Sequence, residues 1–311
     1  MKNKRLIAGL LLASLFALYS CDRENPMSRE QYIKQIYMVG AYNNISTFEI
    51  PYGNAPADAY VSVAVGGSLL PEKDVTVTLA HNDAAITAYN DKYMRDAPVP
   101  YRKLDASFLD MPSLNATIKT GDVFARVPFK VHTGDLHCDS LYAIALKIES
   151  VSDFEINQAT PSLILNLKII NGYSGNYQLE AIKSKVASDL ITLSEPTTLS
   201  AARTLTAVDG NTVRFFHEAK AQIRSGYESN DAYWTALMGY GITFSRDTET
   251  DFNIQSWGKY SKSKYPDAGI DDATSLSILD GECSYADGIF TFWYDYREGS
   301  QRYRIEGKMS K

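Results

Sequence analysis

The sequence predicts an all-β protein, with a β-sandwich followed by an antiparallel β-meander. The first observation is alternation of period two: Val61, Val63 and Val65 point to one side of an extended segment, and the residues between them point to the other. The second is the series of short apolar runs separated by turn-forming residues, and the third is the lack of long amphipathic helical patterns. Short strands of this kind bury their apolar faces by packing two sheets together or by closing one sheet into a barrel.

Residues 32–171 are predicted to form an immunoglobulin-like β-sandwich. After the valine-rich segment, four further alternating segments follow, at Val75–Leu79, Ala125–Val131, Tyr142–Ile148 and Leu163–Ile169. One short helix is predicted over Ala84–Tyr93.

Residues 172–311 are predicted to form a second β domain, because the polar break Asn171–Gly175 precedes a new series of about eight strand-like segments. Asp287-Gly288 and similar pairs between them accept positive φ and so favour hairpins. Eight antiparallel strands in sequence close into an up-and-down barrel or split into a second sandwich. Gly175-Asn176-Tyr177 resembles the Gly-x-Trp that opens lipocalin-like barrels, with Arg302 or Arg304 placed to stack across it.

The N-terminus has the order of a secretory signal. A basic start, Met1–Arg5, precedes the apolar run Leu6–Leu18, which is shorter than the ~20 residues needed to cross a bilayer. The segment Leu18–Cys21 resembles a bacterial lipobox, which implies that residues 1–20 are removed and that Cys21 is lipidated. The alternative is an ordinary signal peptide in which Cys21 is incidental.

Residues 21–31 are predicted to be a polar tether, since they cannot bury apolar area. Asp22 and Glu24 resemble the acidic surface-export signal of Bacteroidetes lipoproteins. We therefore expect a protein held on the outer membrane by its lipid alone, at the cell surface.

The net charge and the cysteine and histidine positions argue against nucleic acid binding, disulfide bonds and a zinc site. Loss of the three basic residues of the signal would change the net charge from −6 to −9, which argues against nucleic acid. Cys138 and Cys283 fall in different predicted domains, so no disulfide is expected. The spacing of His132, His137, Cys138 and Asp139 fits no standard zinc motif, and no cofactor fingerprint occurs. We expect neither metal nor cofactor.

A family resemblance rests on four segments in order: Val75–Leu79, Ala88–Asn90, Ile118–Asp122 and Leu141–Leu146. Over roughly residues 30–171 the chain resembles the N-terminal immunoglobulin-like domain of Bacteroidetes surface lipoproteins. That domain precedes family 18 endo-β-N-acetylglucosaminidase barrels, and it also occurs in non-catalytic proteins of glycan-utilisation systems. Residues 172–311 resemble the uncharacterised β-rich domain that accompanies it. The resemblance implies a carbohydrate context, with an oligosaccharide or polysaccharide as the partner.

No catalytic residue is predicted. Family 18 enzymes carry Asp-x-x-Asp-x-Asp-x-Glu on a barrel of about 250 residues, and the chain has neither. Its nearest acidic cluster, Asp267, Asp271 and Asp272, has no spaced glutamate. A non-enzymatic protein is expected, and a divergent glycoside hydrolase is the alternative.

Aromatic residues of the second domain are the candidate glycan site, because a flat ring packs against the apolar face of a pyranose. On strand alternation Trp257 shares a face with Asn253 and Gln255. Further candidates in polar loops are Tyr260, Tyr265 and Trp234. The alternatives are that Trp257 is an ordinary packed residue, or that these aromatics hold another outer-membrane protein of the uptake system. Phe290, Phe292, Tyr294 and Tyr296 form a core stripe, and Trp293 lies opposite it.

Lipidation of Cys21 is directly testable. The intact mass of the mature protein should show an acyl addition on Cys21, and Cys21→Ala should abolish membrane anchoring because the chain has no other apolar segment of sufficient length. Cys138→Ala is the control and should leave anchoring unchanged. A mature mass without acyl chains would contradict the prediction.

Overall fold

The computed structural model describes residues 28–43, 45–95, 97, 99–217, 240–264 and 276–311. Over these residues the protein is all-β, with two stacked sheets followed by a closed eight-stranded barrel, which confirms the predicted fold class. The predicted signal peptide and Cys21 lie outside the described residues, as does most of the tether. None of the helices described is long and apolar enough to span a bilayer.

The first part of the chain forms the sandwich. Its strands are β1 (Gln35–Met38), β2 (Ile45–Pro51), β3 (Ala57–Gly66), β4 (Val75–His81), β5 (Tyr101–Lys103), β6 (Leu109–Asp110), β7 (Asn115–Ile118), β8 (Phe124–Val131), β9 (Leu141–Val151), β10 (Glu155–Ile156) and β11 (Ser162–Ile170). Helix α1 spans Asp83–Tyr93, close to its predicted bounds. One sheet has the order β10-β1-β3-β8-β6, and the other has the order β2-β11-β9-β4-β7, with β5 beside β9.

The sandwich core contains the residues that the alternation selected. Val61, Val63 and Val65 are buried, and they belong to one apolar cluster with Phe129 from the adjacent strand β8 and Leu79 from β4 in the other sheet. The residues between them face away from this cluster, as expected for strands that bury one face.

The two ends of the sandwich have different roles. The chain enters at one end, which we name the entry end and which comprises residues 28–34, the loop 67–74 and the loop 119–124. Antiparallel pairing of β1 with β3 and of β3 with β8 makes β1 and β8 run away from this end. The chain leaves after Ile170 at the opposite end, the barrel end, where Tyr52 N donates to Ile170 O at 2.7 Å.

The barrel follows directly. Its strands are β12 (Gly175–Val186), β13 (Leu193–Ala207), β14 (Thr212–Phe216), β15 (Gly241–Arg246), β16 (Asp251–Ser256), β17 (Ile278–Ala286), β18 (Ile289–Glu298) and β19 (Gln301–Ser310), and helix α2 (Trp257–Lys264) follows β16. Each strand pairs antiparallel with the next, and β19 pairs with β12, which closes the sheet. Of the two predicted alternatives, the barrel is the one present. The predicted turn Asp287-Gly288 has φ values of 51° and 82°.

The barrel interior is filled by side chains, many of them aromatic, including Tyr177, Phe215, Phe244, Phe290, Phe292, Tyr294 and Tyr296. His217 lies among them, with Nδ1 2.9 Å from the Tyr294 hydroxyl. Burial, together with the nearby charges of Lys183 and Arg203, lowers the pKa of His217 to about 3, so the imidazole is neutral.

The lipocalin-like stacking pattern is absent. Lys311 lies 5.3 Å from the Tyr177 ring centre, whereas Arg302 and Arg304 both bind Asp295 on the other side of the barrel wall. The reason is strand register: Tyr177 points inward, and the two arginines point outward with Asp295.

Gly307 permits the closing strands to approach each other. A Cβ at this position would lie 2.5 Å from Ala181 Cα, which is backbone and cannot rotate away. Gly307→Ala should therefore lower the free energy of unfolding by about 2–3 kcal/mol in urea titrations. Gly172→Ala is the matched control, because nothing lies within 4 Å of its added methyl, and its effect should stay within about 0.5 kcal/mol. Equal effects of the two substitutions would contradict this account of barrel closure.

Candidate functional site

Trp257 does not form an exposed platform. Its side chain is 1% exposed, and it packs so closely on Gly241 that a Cβ there would lie 2.5 Å from Trp257 Cβ. The strand ends at Ser256 and α2 begins at Trp257, so the alternation that placed Trp257 beside Asn253 and Gln255 stops one residue earlier. The prediction of an exposed Trp257 face is therefore wrong, because the change from strand to helix turns the ring into the protein.

Trp257 instead contributes to the junction between sandwich and barrel. The Arg214 guanidinium carbon lies 5.0 Å from the Trp257 ring centre and 4.6 Å from that of Phe216. Arg214 comes from the barrel strand β14, and its Nη1 lies 2.6 Å from the carboxylate of Asp139, which belongs to the sandwich. Both charged side chains are almost completely buried, so the ion pair is shielded from water and links the two domains.

Tyr260 belongs to the same junction. Its ring stacks on Trp257 with centroids 5.8 Å apart, and its hydroxyl donates a hydrogen bond to the carboxylate of Asp209. Burial and the adjacent Asp209 carboxylate raise the pKa of Tyr260, so it remains protonated. Tyr260 is thus a packing residue of the junction.

Three possible metal ligands also lie at this junction. Within the described ranges, the donor atoms of His137, Cys138 and Asp139 lie within 4.8 Å of one another. Asp139, however, is the ion-pair partner of Arg214, and the Nδ1 atom of His137 accepts a hydrogen bond from Asp139 N at 3.1 Å. The arrangement serves the junction, since a cation there would compete with Arg214 for the same carboxylate.

A groove of about 1430 Å³ on the barrel is the candidate binding site. Its lining comes from β12, β13 and β16–β19 and includes side chains that point away from the aromatic interior, such as Trp293, Arg304 and Glu306. The first half of β13, Leu193–Ser200, adds mostly exposed residues to the lining. Most of the lining side chains alternate with interior residues of the same strands, which places the groove on the outer wall, and Phe252, Cys283 and Phe292 of the interior cluster also contribute to its lining.

Trp293 is held in place on two sides. Its Nε1 donates to Glu282 Oε2 at 3.2 Å, and the Arg304 guanidinium carbon lies 4.2 Å from its ring centre. All three residues line the groove. A ring fixed in this way loses little conformational freedom when a ligand packs beside it, which favours binding.

Asp295 fixes the arginine in turn. Its carboxylate has no exposed surface and accepts hydrogen bonds from Arg302 Nη2 at 2.6 Å and Arg304 Nε at 2.7 Å. Burial alone would raise the pKa of Asp295, but the hydrogen bonds and charges of Arg304 and Arg302 outweigh it and hold the pKa below its ordinary value. Trp293, Arg304 and Asp295 thus form one connected unit on the barrel wall.

Beside apolar residues such as Ile182, Leu199 and Phe252, the lining has polar groups that can bond to hydroxyl groups. It supplies the side-chain amide of Asn253, the carboxylates of Glu180, Asp251, Glu282 and Glu306, and the hydroxyls of Ser184, Ser200, Ser284 and Thr291. Lys308 pairs with Glu180 at 3.1 Å. Carboxylates accept and hydroxyls both donate and accept, so the groove suits a polyhydroxylated ligand.

Of the six predicted site residues, Asn253 lines this groove. Gln255 lies further along the same strand and is partly buried, and Tyr260 and Trp257 lie at the junction. Tyr265 and Trp234 lie outside the described residues. Trp293 was not selected as a site residue, because its position opposite the core stripe was compatible with either an exposed or a packed side chain.

Two family models match consecutive parts of the chain. One family model, described as an N-terminal domain, matches residues 32–155, and a second, described as a C-terminal domain, matches residues 162–310. The chain is similar to an N-terminal domain model over its first part and to a C-terminal domain model over its second part. No curated protein is similar enough in sequence to count as a match.

Solved structures from Bacteroides share the fold. A protein of unknown function from Bacteroides ovatus has a TM-score of 0.60 at 14% identity, with 88% of this chain and 93% of that chain covered. A multidomain protein from Bacteroides ovatus has a TM-score of 0.56 at 16% identity, with 86% and 89% covered. An auxiliary nutrient binding protein from Bacteroides thetaiotaomicron has a TM-score of 0.54 at 18% identity, with 87% and 91% covered. At these identities the likeness concerns the fold.

Asp295→Asn tests the unit that fixes Trp293. The variant should lose about 3 kcal/mol of unfolding free energy at pH 7, because it leaves two arginines facing a neutral amide. Since the folded pKa lies below the unfolded value of about 3.9, the difference from wild type should be constant above that pH and shrink as pH falls through the folded pKa. Urea titrations across this pH range measure it.

Asp58→Asn is the control for this prediction, because Asp58 is highly exposed and its ion pair with Lys130 is 3.5 Å long. Its effect should be within about 0.5 kcal/mol at every pH. A pH-independent difference between Asp295→Asn and wild type would contradict the assignment of an ionised, arginine-bound carboxylate.

Proposed function

We propose that the protein is a non-catalytic carbohydrate-binding protein and that the groove on the outer wall of the barrel is its binding site. The observation that carries the proposal is the fixed Trp293, held between Glu282 and Arg304 within a lining of hydroxyls, carboxylates and an amide. Carbohydrate recognition needs this combination, because a pyranose offers an apolar face to an aromatic ring and hydroxyl groups to polar side chains around it.

The size of the groove favours an oligosaccharide or polysaccharide over a single sugar. Pockets for small ligands have volumes of about 300–1,000 Å³, and the groove has about 1430 Å³. Because it lies on an outer wall, a chain of sugar units can extend beyond its ends, as capture of a polymer requires.

The charge of the groove favours neutral glycans. Its lining contains four carboxylates, from Glu180, Asp251, Glu282 and Glu306, and two cationic side chains, from Arg304 and Lys308. Lys308 is paired with Glu180, and Arg304 is bound by Asp295. A uronic acid or sulfated sugar would thus meet an excess of negative charge, and anionic glycans should bind more weakly.

The similar fold of an auxiliary nutrient binding protein from Bacteroides supports a role in nutrient capture. The absence of the family 18 signature from the sequence supports a non-catalytic role. In this proposal the protein serves a glycan-utilisation system by holding substrate for other components.

Lipid anchorage on the outer membrane is part of the proposal. Cys21 would hold the chain by its N-terminus, and the surface-export resemblance of the residues after it supports the outer face. The entry end and the barrel end lie at opposite ends of the sandwich, so the sandwich acts as a spacer between anchor and barrel.

Trp293→Ala tests the proposal in affinity gels that contain neutral polysaccharides, such as mannan or xyloglucan, or an acidic one, such as polygalacturonate. For a neutral polysaccharide that retains the wild-type protein, loss of the ring should weaken binding by about tenfold, equivalent to about 1.4 kcal/mol. The acidic gel should retain the wild-type protein less than the neutral gel does. Tyr42→Ala is the matched control, because Tyr42 is 88% exposed and belongs to the sandwich, so binding should be unchanged.

Three outcomes would each overturn one part of the proposal. If Trp293→Ala and wild type are retained equally, the binding surface lies elsewhere. If no host or plant polysaccharide retains the wild-type protein, the carbohydrate proposal itself fails. Release of reducing sugar at substoichiometric protein would overturn the non-catalytic assignment.

A further inference from the structure

Five exposed apolar side chains lie together at the entry end of the sandwich. Tyr32 and Ile33 are 71% and 72% exposed, Leu70 is 54% exposed, and Val123 and Phe124 are 48% and 46% exposed. These five residues, which we name the entry patch, lie at the end where the chain enters the sandwich. Single exposed apolar residues need no explanation, but five at one end of a domain indicate a contact surface.

The members of the entry patch are neighbours across three adjacent strands. Tyr32 and Ile33 precede β1, Leu70 follows β3, and Val123 and Phe124 stand at the start of β8, in the sheet order β1-β3-β8. Hydrogen bonds join these segments: Lys34 Nζ donates to Leu70 O at 3.0 Å, and Val65 N donates to Val123 O at 3.0 Å.

Charges around the entry patch are largely paired with each other. Lys34 lies 3.4 Å from Glu30, Lys73 lies 2.6 Å from Asp153, and Lys119 lies 2.7 Å from Asp74. The patch therefore has apolar side chains at its centre and a nearly neutral rim. Such a surface binds through burial of apolar area, and its binding should depend little on salt.

The position of the entry patch points to its partner. The described chain begins at Ser28, seven residues after Cys21, and seven residues span at most about 25 Å when fully extended. If Cys21 is held in a membrane, the entry end is the part of the fold nearest to that membrane. The barrel, with its groove, lies at the opposite end.

We propose that the lipid anchor is not the only membrane contact and that the entry patch also rests on the lipid bilayer, with its apolar side chains among the headgroups and the first methylenes. Tyrosine and aliphatic side chains partition favourably into this region. The inference rests on the lipid anchorage included in the proposed function. Anchorage raises the local concentration of the patch at the membrane, so a contact that is weak by itself holds the sandwich upright and directs the groove away from the surface.

The test uses a chain that cannot be lipidated, so that the patch and the anchor are measured separately. The chain from Asp22 to Lys311 keeps every described residue and both apolar cores. Its partition onto phosphatidylcholine vesicles is measured by co-sedimentation at low and at high salt. Without substitutions, this chain should bind the vesicles weakly and independently of salt. With the substitutions Ile33→Ser/Leu70→Ser/Phe124→Ser, its vesicle binding should be at least about tenfold weaker.

A matched control removes three exposed apolar residues from the barrel, in the variant Ile191→Ser/Leu279→Ser/Ile289→Ser. Its partition should equal that of wild type, and thermal unfolding midpoints of both variants verify that they fold. The acyl mass on Cys21 is measured independently, so that a missing anchor is distinguished from a patch that does not bind lipid.

Three results would overturn the proposal. The first is wild-type partition indistinguishable from that of the entry-patch variant. The second is an equal loss in the barrel control, which would indicate non-specific adsorption. The third is a wild-type dimer in sedimentation velocity that the entry-patch substitutions dissociate, without vesicle binding, because the patch would then join two copies of the chain.

Discussion

A buried arginine joins the two halves of this protein. Arg214 projects from the outer wall of the barrel, pairs with Asp139 of the sandwich at 2.6 Å, and is covered by the rings of Trp257 and Phe216. An ion pair removed from water is costly to break, because a single partner left behind is a buried, uncompensated charge. The contact therefore fixes which side of the barrel faces the sandwich, and the groove is left open elsewhere on the wall.

Strand alternation gives the barrel a packed interior and a separate outer surface. Alternate residues of β18 point in opposite directions, so Phe292 and Tyr294 fill the interior while Trp293 and Asp295 lie on the outer wall. The packed interior leaves the outer wall as the surface available to a ligand. Rigid strands under a fixed ring provide the positioning that a binding site needs, since little order has to be created when the ligand arrives.

Strand periodicity predicted much of the fold and little of the site. The alternating valines of β3, the helix near Ala84–Tyr93 and the turn at Asp287-Gly288 were correct, because each depends on local backbone preference and on one apolar face. The prediction for Trp257 was wrong because it relied on the same local alternation. The alternation was extended by one residue beyond Ser256, where the chain turns into α2, and nothing in the local sequence marks that position as the end of the strand.

The sequence by itself determined the class of fold, the succession of two β domains and the position of Trp293 opposite the core stripe, because period-two patterns and turn residues act over short distances. Only the tertiary structure decided that the second domain is a barrel and not a second sandwich. Only the tertiary structure showed that Trp257 is buried against Arg214 and that Arg304 and Glu282 lie beside Trp293. It also gathered Ile33, Leu70 and Phe124 at one end. These residues are far apart in the chain, and strand pairing across the sheets, which no local pattern encodes, makes them neighbours.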